Sequence, residues 1–284
     1  MKISKTLTDW LLYTSIFAAL CAVALCLATE RLILNSIPDT ITPLHSFIFG
    51  CTLIVYNAHF LLRKVQPKLS DRYRWTEQHR IWHYATFLIG FVVSGISIFF
   101  LNWKILVACL VLGVLSFTYT LPILPFAKSR LRDFGWLKIL TLTLVWTIVT
   151  SILPMLYYHQ SLLDYPFEIL LRFVFMFILC IAFDLRDMQT DLKADINTLP
   201  NILGVKNSYR LINLAILLFV VLSILQYFRY PSAGRLAGTC VVALLTKAAI
   251  AYTRKHPTDK NYLGLVDGMM LLYGCVVAFL SHHH

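Results

Sequence analysis

Apolar segments of membrane-spanning length alternate with short polar segments along the whole chain. A helix that crosses a bilayer needs about 20 mostly apolar residues, and we find nine such runs in the 284 residues. They are residues 10–29, 43–62, 83–101, 104–124, 136–157, 167–184, 208–228, 234–252 and 262–281. Since little sequence remains between them, the pattern predicts one all-α, polytopic membrane domain over residues 1–281. We interpret His282, His283 and His284 as the remnant of a purification tag.

The composition of the chain also indicates a membrane protein. Hydrophobic residues make up 58% of the chain, charged residues make up only 14%, and the mean hydropathy is +0.72. A soluble domain carries roughly 25% charged residues, because its surface must be solvated. We therefore exclude a soluble domain, a disordered chain and a coiled coil.

The basic residues are distributed unevenly between the two sets of loops. Of the 25 Lys and Arg residues, 19 lie on the side of the N-terminus and only four lie in the loops of the other side. Cytoplasmic loops of membrane proteins carry such an excess. We expect the N-terminus in the cytoplasm, the C-terminus outside after nine spans, and a bacterial inner (cytoplasmic) membrane as the location. Topology explains most of the net charge of +11, and we expect no nucleic-acid partner.

Polar chemistry collects after the sixth run, whereas the loops on the other side of the membrane offer no comparable cluster. Four aspartates follow one another at intervals of three or four residues: Asp184, Asp187, Asp191 and Asp195. If the helix continues that far, this spacing places them on one face. Such oxygen ligands suit a hard cation, above all Mg²⁺. The alternative is a solvated acidic helix end that pairs with Arg186 and Lys193, and spacing alone leaves both hypotheses open.

This acidic segment resembles the second aspartate motif of the UbiA superfamily of intramembrane prenyltransferases. The matching residues are Asp184-Leu-Arg-Asp187-Met-Gln-Thr-Asp191, then Thr198-Leu-Pro and Leu203-Gly204. The resemblance implies that Asp187 and Asp191 are catalytic metal ligands and that Asp184 belongs to the same metal site. It also implies a UbiA-like bundle of nine helices, Mg²⁺ as cofactor, an isoprenyl diphosphate as donor and a lipophilic or aromatic acceptor. Asp195 departs from the motif, because the family usually has Gly there.

A second segment, from Tyr119 through Pro122 and Pro125 to Lys128, is similar to the family's Tyr/Pro/Lys segment at the end of the fourth helix. The resemblance implies that Lys128 binds the diphosphate and that Tyr119 takes part in catalysis. Tyr119 would orient the diphosphate or shield a carbocation with its ring. A purely structural Tyr119 is the alternative hypothesis.

The family's first aspartate motif, which should end the second run, is incomplete. Asn57 is present, but Leu61 and Val65 stand where the family has two aspartates. A prenyl diphosphate carries about three negative charges, which one Mg²⁺ together with Lys and Arg donors can neutralise. We therefore expect Asn57 and several basic side chains to bind the diphosphate. The expected basic donors are Arg63, Lys64, Lys128 and Arg186, with topological anchoring as the alternative for the first two.

Three functions are compatible with this pattern. The leading hypothesis is an intramembrane enzyme that ionises an isoprenyl diphosphate with Mg²⁺ on the cytoplasmic side and transfers the prenyl group to the acceptor, surrounded by membrane lipid. A UbiA-type terpene cyclase would keep the ionisation step and quench the cation internally. A non-catalytic protein that binds a prenyl lipid or a quinone would explain the loss of the first-motif carboxylates.

Two ionisable residues fall within the last two apolar runs, Lys247 and Asp267. Ionisable groups inside membrane spans are candidates for function, because their burial in an apolar layer is costly. Mutual pairing between neighbouring helices is the simpler explanation, and it is the one we favour.

Overall fold

The computed structural model describes residues 2–36, 38–62, 71–120, 135–193 and 196–280, and within these ranges the chain forms helices and connecting turns without any strand. The long helices are α2 (Ile16–Leu34), α3 (Pro43–Leu62), α5 (Arg80–Ser97), α6 (Trp103–Thr120), α9 (Pro166–Lys193), α10 (Leu199–Arg229) and α11 (Ala233–Lys255). The shorter ones are α1 (Lys2–Tyr13), α4 (Asp71–Gln78), α7 (Trp136–Thr147), α8 (Leu153–Tyr157), α12 (Asp259–Asn261) and α13 (Gly268–Leu280). The all-α prediction is confirmed.

Each apolar run of the sequence corresponds to a helical segment. Eight of these segments, among the described residues, are long and apolar enough to cross a membrane. Two of them contain a π-helical turn, at Ile148–Ile152 between α7 and α8 and at Tyr262–Val266 before α13. The fourth run corresponds to α6, whose apolar part, Trp103–Ser116, is shorter than the other spans. A polytopic membrane protein is thereby supported, whereas the count of nine spans and the orientation stay predictions.

The helices pack as a bundle around a large apolar core. α9 lies in the interior, in contact with both α7 and α10, while α3 pairs with α5 and α13 pairs with both α2 and α11. Glycines permit close approach of helices: a Cβ on Gly50 of α3 would lie only 2.7 Å from the carbonyl oxygen of Gly90 on α5. Small residues at helix contacts are the usual device for packing helices in a membrane, where apolar surface alone drives no association.

The outer surface of the bundle is apolar, as a lipid environment requires. On α10, large side chains point away from the core over several turns; they include Leu214, Leu217, Leu218 and Phe228. Exposed apolar area on this scale marks an interaction surface in a soluble protein. In this protein, the exposed apolar surface belongs to the same apolar runs from which the membrane spans were predicted.

The two ends of the bundle differ in their polar contents. We call the end that carries Asp184, Asp187 and Asp191 the motif end, and the other the opposite end. At the opposite end, Glu168 accepts a hydrogen bond from Arg172 at 2.8 Å and lies 3.6 Å from Arg235, and all three side chains are at most 4% exposed. A second buried pair, between His45 and Glu30, has an N–O distance of 2.8 Å. This ionic network is not among the features predicted from the sequence.

Candidate functional site

The three aspartates of the second motif lie on one uninterrupted helix. α9 continues beyond the apolar run as far as Lys193, so the condition for the predicted common face is met for these three aspartates. Asp184 and Asp191 are buried, whereas Asp187 is partly exposed. The acidic face is therefore turned into the bundle at two of its three positions. Asp195 lies outside the described residues.

A lysine from a neighbouring helix lies between the two buried aspartates. The Nζ atom of Lys138 is 2.9 Å from Oδ1 of Asp184 and 2.7 Å from Oδ2 of Asp191. The side chains of Lys138, Asp184 and Asp191 are only 12%, 4% and 11% exposed. Charge-assisted contacts at this distance are among the stronger polar interactions in a protein. The second motif is thus paired within the chain.

The start of α7 fixes the place of Lys138. Gly135, which precedes α7, has a φ of +38°, a conformation that glycine adopts far more readily than other residues. A Cβ on Gly135 would overlap the carbonyl oxygen of Asn197, so the backbone at the start of α7 contacts the segment that follows the second motif. This contact holds Lys138 beside Asp191 although 53 residues separate them along the chain.

We expect Gly135→Ala to lower the free energy of unfolding by about 1–3 kcal/mol, because it adds a steric overlap at a strained backbone position. Thermal or denaturant unfolding of the purified protein measures the effect. Gly113→Ala is the matched control, since a Cβ there meets nothing within 4 Å. Equal stability of the two variants would contradict the close contact with Asn197.

Arg186 neutralises the third aspartate. Its Nε and Nη2 atoms donate to the two carboxylate oxygens of Asp187 at 2.7 and 3.0 Å. The guanidinium lies over the rings of Phe183 and Tyr262, with 4.9 and 5.4 Å to the centroids, which is the geometry of a cation–π contact. Asp259 lies 3.9 Å away. Arg186, expected to bind the diphosphate, is therefore rigidly held at the motif end.

Arg72, from the short helix α4, reaches into the same end of the bundle. It donates to Ser15 at 2.8 Å, and its guanidinium lies 4.3 Å from the centre of the Phe60 ring. Together with Tyr56 and Asp267 it lines a small cavity of about 10 Å³, enough for roughly one water molecule. Burial, and next the positive charge of Arg186, lower the pKa of Arg72 to about 10. The guanidinium still carries its charge at neutral pH.

The expected pairing of Asp267 with Lys247 is wrong. Lys247 is exposed on the outer surface of α11, whereas Asp267 faces the cavity shared with Arg72. A lysine near the end of a span can extend along the surface to the polar boundary, so it needs no partner inside the bundle.

Both ends of the Asn57 side-chain amide form hydrogen bonds within the bundle. Its Nδ2 donates to the carbonyl oxygens of Thr14 and Leu53 at 3.0 and 2.8 Å. Its Oδ1 lies 2.7 Å from Nδ1 of His83, whose other ring nitrogen contacts Thr76 at 3.2 Å. The amide therefore orders α3, α4 and α5 around it. Its expected role in diphosphate binding stays a prediction.

The remaining predicted site residues are less completely described. Tyr119, near the end of α6, is half-buried and lies within electrostatic range of Lys138, which places it at the motif end. Arg63, Lys64 and Lys128 lie outside the described residues, and so does Val65. Their expected contacts with a diphosphate stay predictions.

The predicted metal ligands do not fit a divalent cation as they are arranged. Within the described ranges, no group of three or more His, Cys, Asp or Glu side chains is placed to hold a metal ion. The physical reason is the charge partners: Lys138 lies between Asp184 and Asp191, and Arg186 takes both oxygens of Asp187. Mg²⁺ needs several free oxygen ligands in near-octahedral geometry.

The conformation of the segment after the second motif follows from three of its residues. Thr198 precedes α10 and Pro200 stands in its first turn, where the missing N–H of proline costs nothing. Gly204 interrupts the helix with a φ of +76°, a conformation available to glycine at little cost. The Thr-Leu-Pro and Leu-Gly elements thus begin and end a short helical segment, which connects the second motif to the long part of α10.

The sequence matches the model of a known protein family. The model of the UbiA prenyltransferase family matches residues 74–273, well over half of the chain. The chain belongs to the UbiA prenyltransferase family. The resemblance inferred from the second aspartate motif is confirmed. In this UbiA-family chain the matched range includes Lys138, Asp184, Asp191 and Asp267, whereas α3 with Asn57 precedes it. No functionally curated protein matches the sequence.

Solved structures, two of them of UbiA homologues, show the same fold at low sequence identity. A UbiA homologue from Archaeoglobus fulgidus bound to GPP and Mg²⁺ has a TM-score of 0.60 and 14% identity, over 95% of this chain and 99% of that chain. The same organism's homologue bound to DMAPP and Mg²⁺ has a TM-score of 0.56 and 12% identity, over 96% and 100% of the two chains. A digeranylgeranylglyceryl phosphate synthase has a TM-score of 0.57 and 14% identity, over 97% and 98%.

Two features of the motif end were missed by the sequence analysis. Lys138 counted there only as one of many basic residues on the N-terminal side, and His83 was not considered. A polar residue in the first turn of an apolar run is the pattern they share, since each follows the start of its helix by two or three residues. That pattern marks a side chain directed at the bundle end, but it does not identify the partner.

Proposed function

We propose that this UbiA-family protein ionises an isoprenyl diphosphate at the motif end and transfers the prenyl group to a lipophilic or aromatic acceptor. The observation that supports it is the convergence of Asp184, Asp187 and Asp191 with Lys138 and Arg186 at one end of an apolar bundle. Such an arrangement places a polar site for a charged head beside an apolar interior for a hydrocarbon chain. We place this site on the cytoplasmic side of a bacterial inner membrane.

The diphosphate would be bound by basic side chains held in place by the acidic ones. Arg186 is fixed by Asp187, and Arg72 is fixed by Ser15 and the Phe60 ring. A guanidinium offers several donors in a planar fork that matches a phosphate group. The three basic residues of the undescribed segments, Arg63, Lys64 and Lys128, would complete the set.

The reaction then follows from the placement of charge. The bond between C1 of the prenyl chain and the diphosphate oxygen breaks, and its electron pair leaves with the pyrophosphate, which the basic side chains stabilise. The allyl cation that remains would lie in the apolar interior, where aromatic rings stabilise positive charge and water is excluded. C1 then bonds to the acceptor, which loses a proton to solvent at the polar end.

Mg²⁺ stays a prediction for this chain. The Archaeoglobus homologues are bound to GPP or DMAPP together with Mg²⁺, which supports a metal-dependent reaction in the family. The pairing of the second-motif aspartates with Lys138 and Arg186 argues for neutralisation by side chains. We therefore assign the binding of the diphosphate and the stabilisation of the leaving pyrophosphate to side chains of this chain.

Pyrophosphate release tests the proposal. The full chain, purified in nanodiscs, is incubated with geranyl, farnesyl or geranylgeranyl diphosphate and a phenolic or alcoholic lipid acceptor, with Mg²⁺ or with EDTA. We expect acceptor-dependent release with at least one chain length and a prenylated product detected by mass spectrometry. The absence of release under all conditions would contradict an enzymatic function, and equal release without an acceptor would contradict transfer in favour of cyclisation.

A second candidate function has one observation in its favour. Leu61 and Val65 replace the first-motif carboxylates, and the second-motif carboxylates are paired with Lys138 and Arg186 within the chain. A non-catalytic protein that binds a prenyl lipid or a quinone would need no metal-binding acids. Saturable binding of a prenyl diphosphate or quinone without release of pyrophosphate would support this alternative.

A further inference from the structure

We propose that Lys138 is a built-in cation that occupies, in this protein, the place of a divalent metal ion in the second acidic motif. This inference rests on the proposed function, because that function gives the reason for a cation at this site. The geometry that carries it is the position of one ammonium group within 2.9 Å of Asp184 and 2.7 Å of Asp191. These two aspartates stand seven residues apart on α9, two turns along one face.

The position of Lys138 on its own helix shows that the acidic groups hold it there. Lys138 lies in the first turn of α7, where the helix dipole disfavours a positive charge. Its side chain is 12% exposed, so solvent compensates little of its charge. The two carboxylates supply the compensation, and the contact of Gly135 with Asn197 fixes the distance between the two helices.

The charges also disfavour a metal ion beside the lysine. Asp184, Asp187 and Asp191 together carry three negative charges, of which Lys138 and Arg186 neutralise two. A divalent ion at Asp184 and Asp191 would have to displace the ammonium and leave it sheltered without a counter-ion. Breaking a buried ion pair in this way is strongly unfavourable. The wild-type motif should therefore bind divalent ions weakly.

The removal of Lys138 should create the metal site that the wild type lacks. In Lys138→Gln, Asp184 and Asp191 are both released, and their oxygens face one another across the space that the ammonium filled. Binding of Mn²⁺ to the full chain in nanodiscs, followed by electron paramagnetic resonance, measures the effect. We expect Lys138→Gln to bind Mn²⁺ at least tenfold more tightly than the wild type.

Three controls make the result specific. Lys138→Arg keeps the positive charge and is expected to bind Mn²⁺ as weakly as the wild type. The triple variant K138Q/D184N/D191N is expected to lose the new site, which also excludes binding by the C-terminal histidines. Size-exclusion chromatography shows whether each variant is folded. Equal Mn²⁺ affinity of the wild type and a folded Lys138→Gln would overturn the proposal.

A second measurement keeps the test decisive if Lys138→Gln fails to fold. Mn²⁺ binding by the wild type is compared with binding by D184N and by D191N. We expect no difference, because neither carboxylate is free to bind a metal; a loss of Mn²⁺ binding in either variant would overturn the proposal. Neither experiment contains a prenyl substrate. A protein without prenyltransferase activity can therefore still confirm the role of Lys138, and an active one can refute it.

Discussion

Asp187→Ala is expected to lower the rate of pyrophosphate release by roughly 100- to 1,000-fold, the usual cost of removing one preorganised charge-stabilising group from an active site. In the structure Asp187 accepts two hydrogen bonds from Arg186, at 2.7 and 3.0 Å. Without it the guanidinium is free to turn towards Asp259, 3.9 Å away. The donor that we assign to the leaving group would then point in the wrong direction.

The measurement is the initial rate with the best prenyl diphosphate, over a range of concentrations that separates kcat from KM. Because we propose that Arg186 stabilises the charge that develops on the leaving group, we expect most of the loss in kcat. Glu77→Ala is the matched control, since Glu77 is an exposed acidic residue of α4, and it should keep the wild-type rate. A rate for Asp187→Ala within twofold of the control would remove Asp187 from the site.

The membrane spans were predictable because they obey a simple physical requirement. A span must be apolar for about 20 residues, and this property is local to each segment of the chain. For the same reason the spacing of Asp184, Asp187 and Asp191 was sufficient to predict one helical face, which the extension of α9 to Lys193 confirms. Only the count of spans depends on a borderline segment, the apolar part of α6.

Contacts between distant segments could not be predicted in this way. Lys138 reaches Asp191 only because α7 packs against α9 and the backbone of Gly135 meets that of Asn197. In the sequence it is one more basic residue on the N-terminal side, and topology alone accounts for it. The amide of Asn57 is likewise bound by His83, which is 26 residues away.

The ionic network of the opposite end was predictable in part. Glu168 and Arg172 stand four residues apart at the start of an apolar run, a spacing at which opposite charges meet on a helix. Ionisable residues near an apolar span are expected to be paired and structurally or functionally important. The pair of Glu168 and Arg172 was thus predictable from its spacing, although it is not among the predictions made above.

Glu168→Ala is expected to lower the free energy of unfolding by about 3–5 kcal/mol, the cost of removing one partner from a buried ion pair. Glu168 is the shared acceptor of the opposite end: its Oε1 accepts from Arg172 at 2.8 Å and from Thr29 at 3.2 Å, and its Oε2 accepts from Gln226 at 3.2 Å. Without it, the buried side chains of Arg172 and Arg235 would lose the carboxylate that they share.

Unfolding in a mixed detergent, titrated with a denaturing surfactant and followed by circular dichroism, measures this loss. Asp39→Ala is the control, because Asp39 is an exposed acidic residue of the same end, and its removal should change the stability by less than about 0.5 kcal/mol. Glu168→Gln should lie between the two, because the amide keeps one hydrogen-bond acceptor but no charge. An equal stability of Glu168→Ala and the control would show that the two guanidiniums are neutralised by other groups. The predicted order, Asp39→Ala above Glu168→Gln above Glu168→Ala, separates the contribution of the charge from that of the hydrogen bonds.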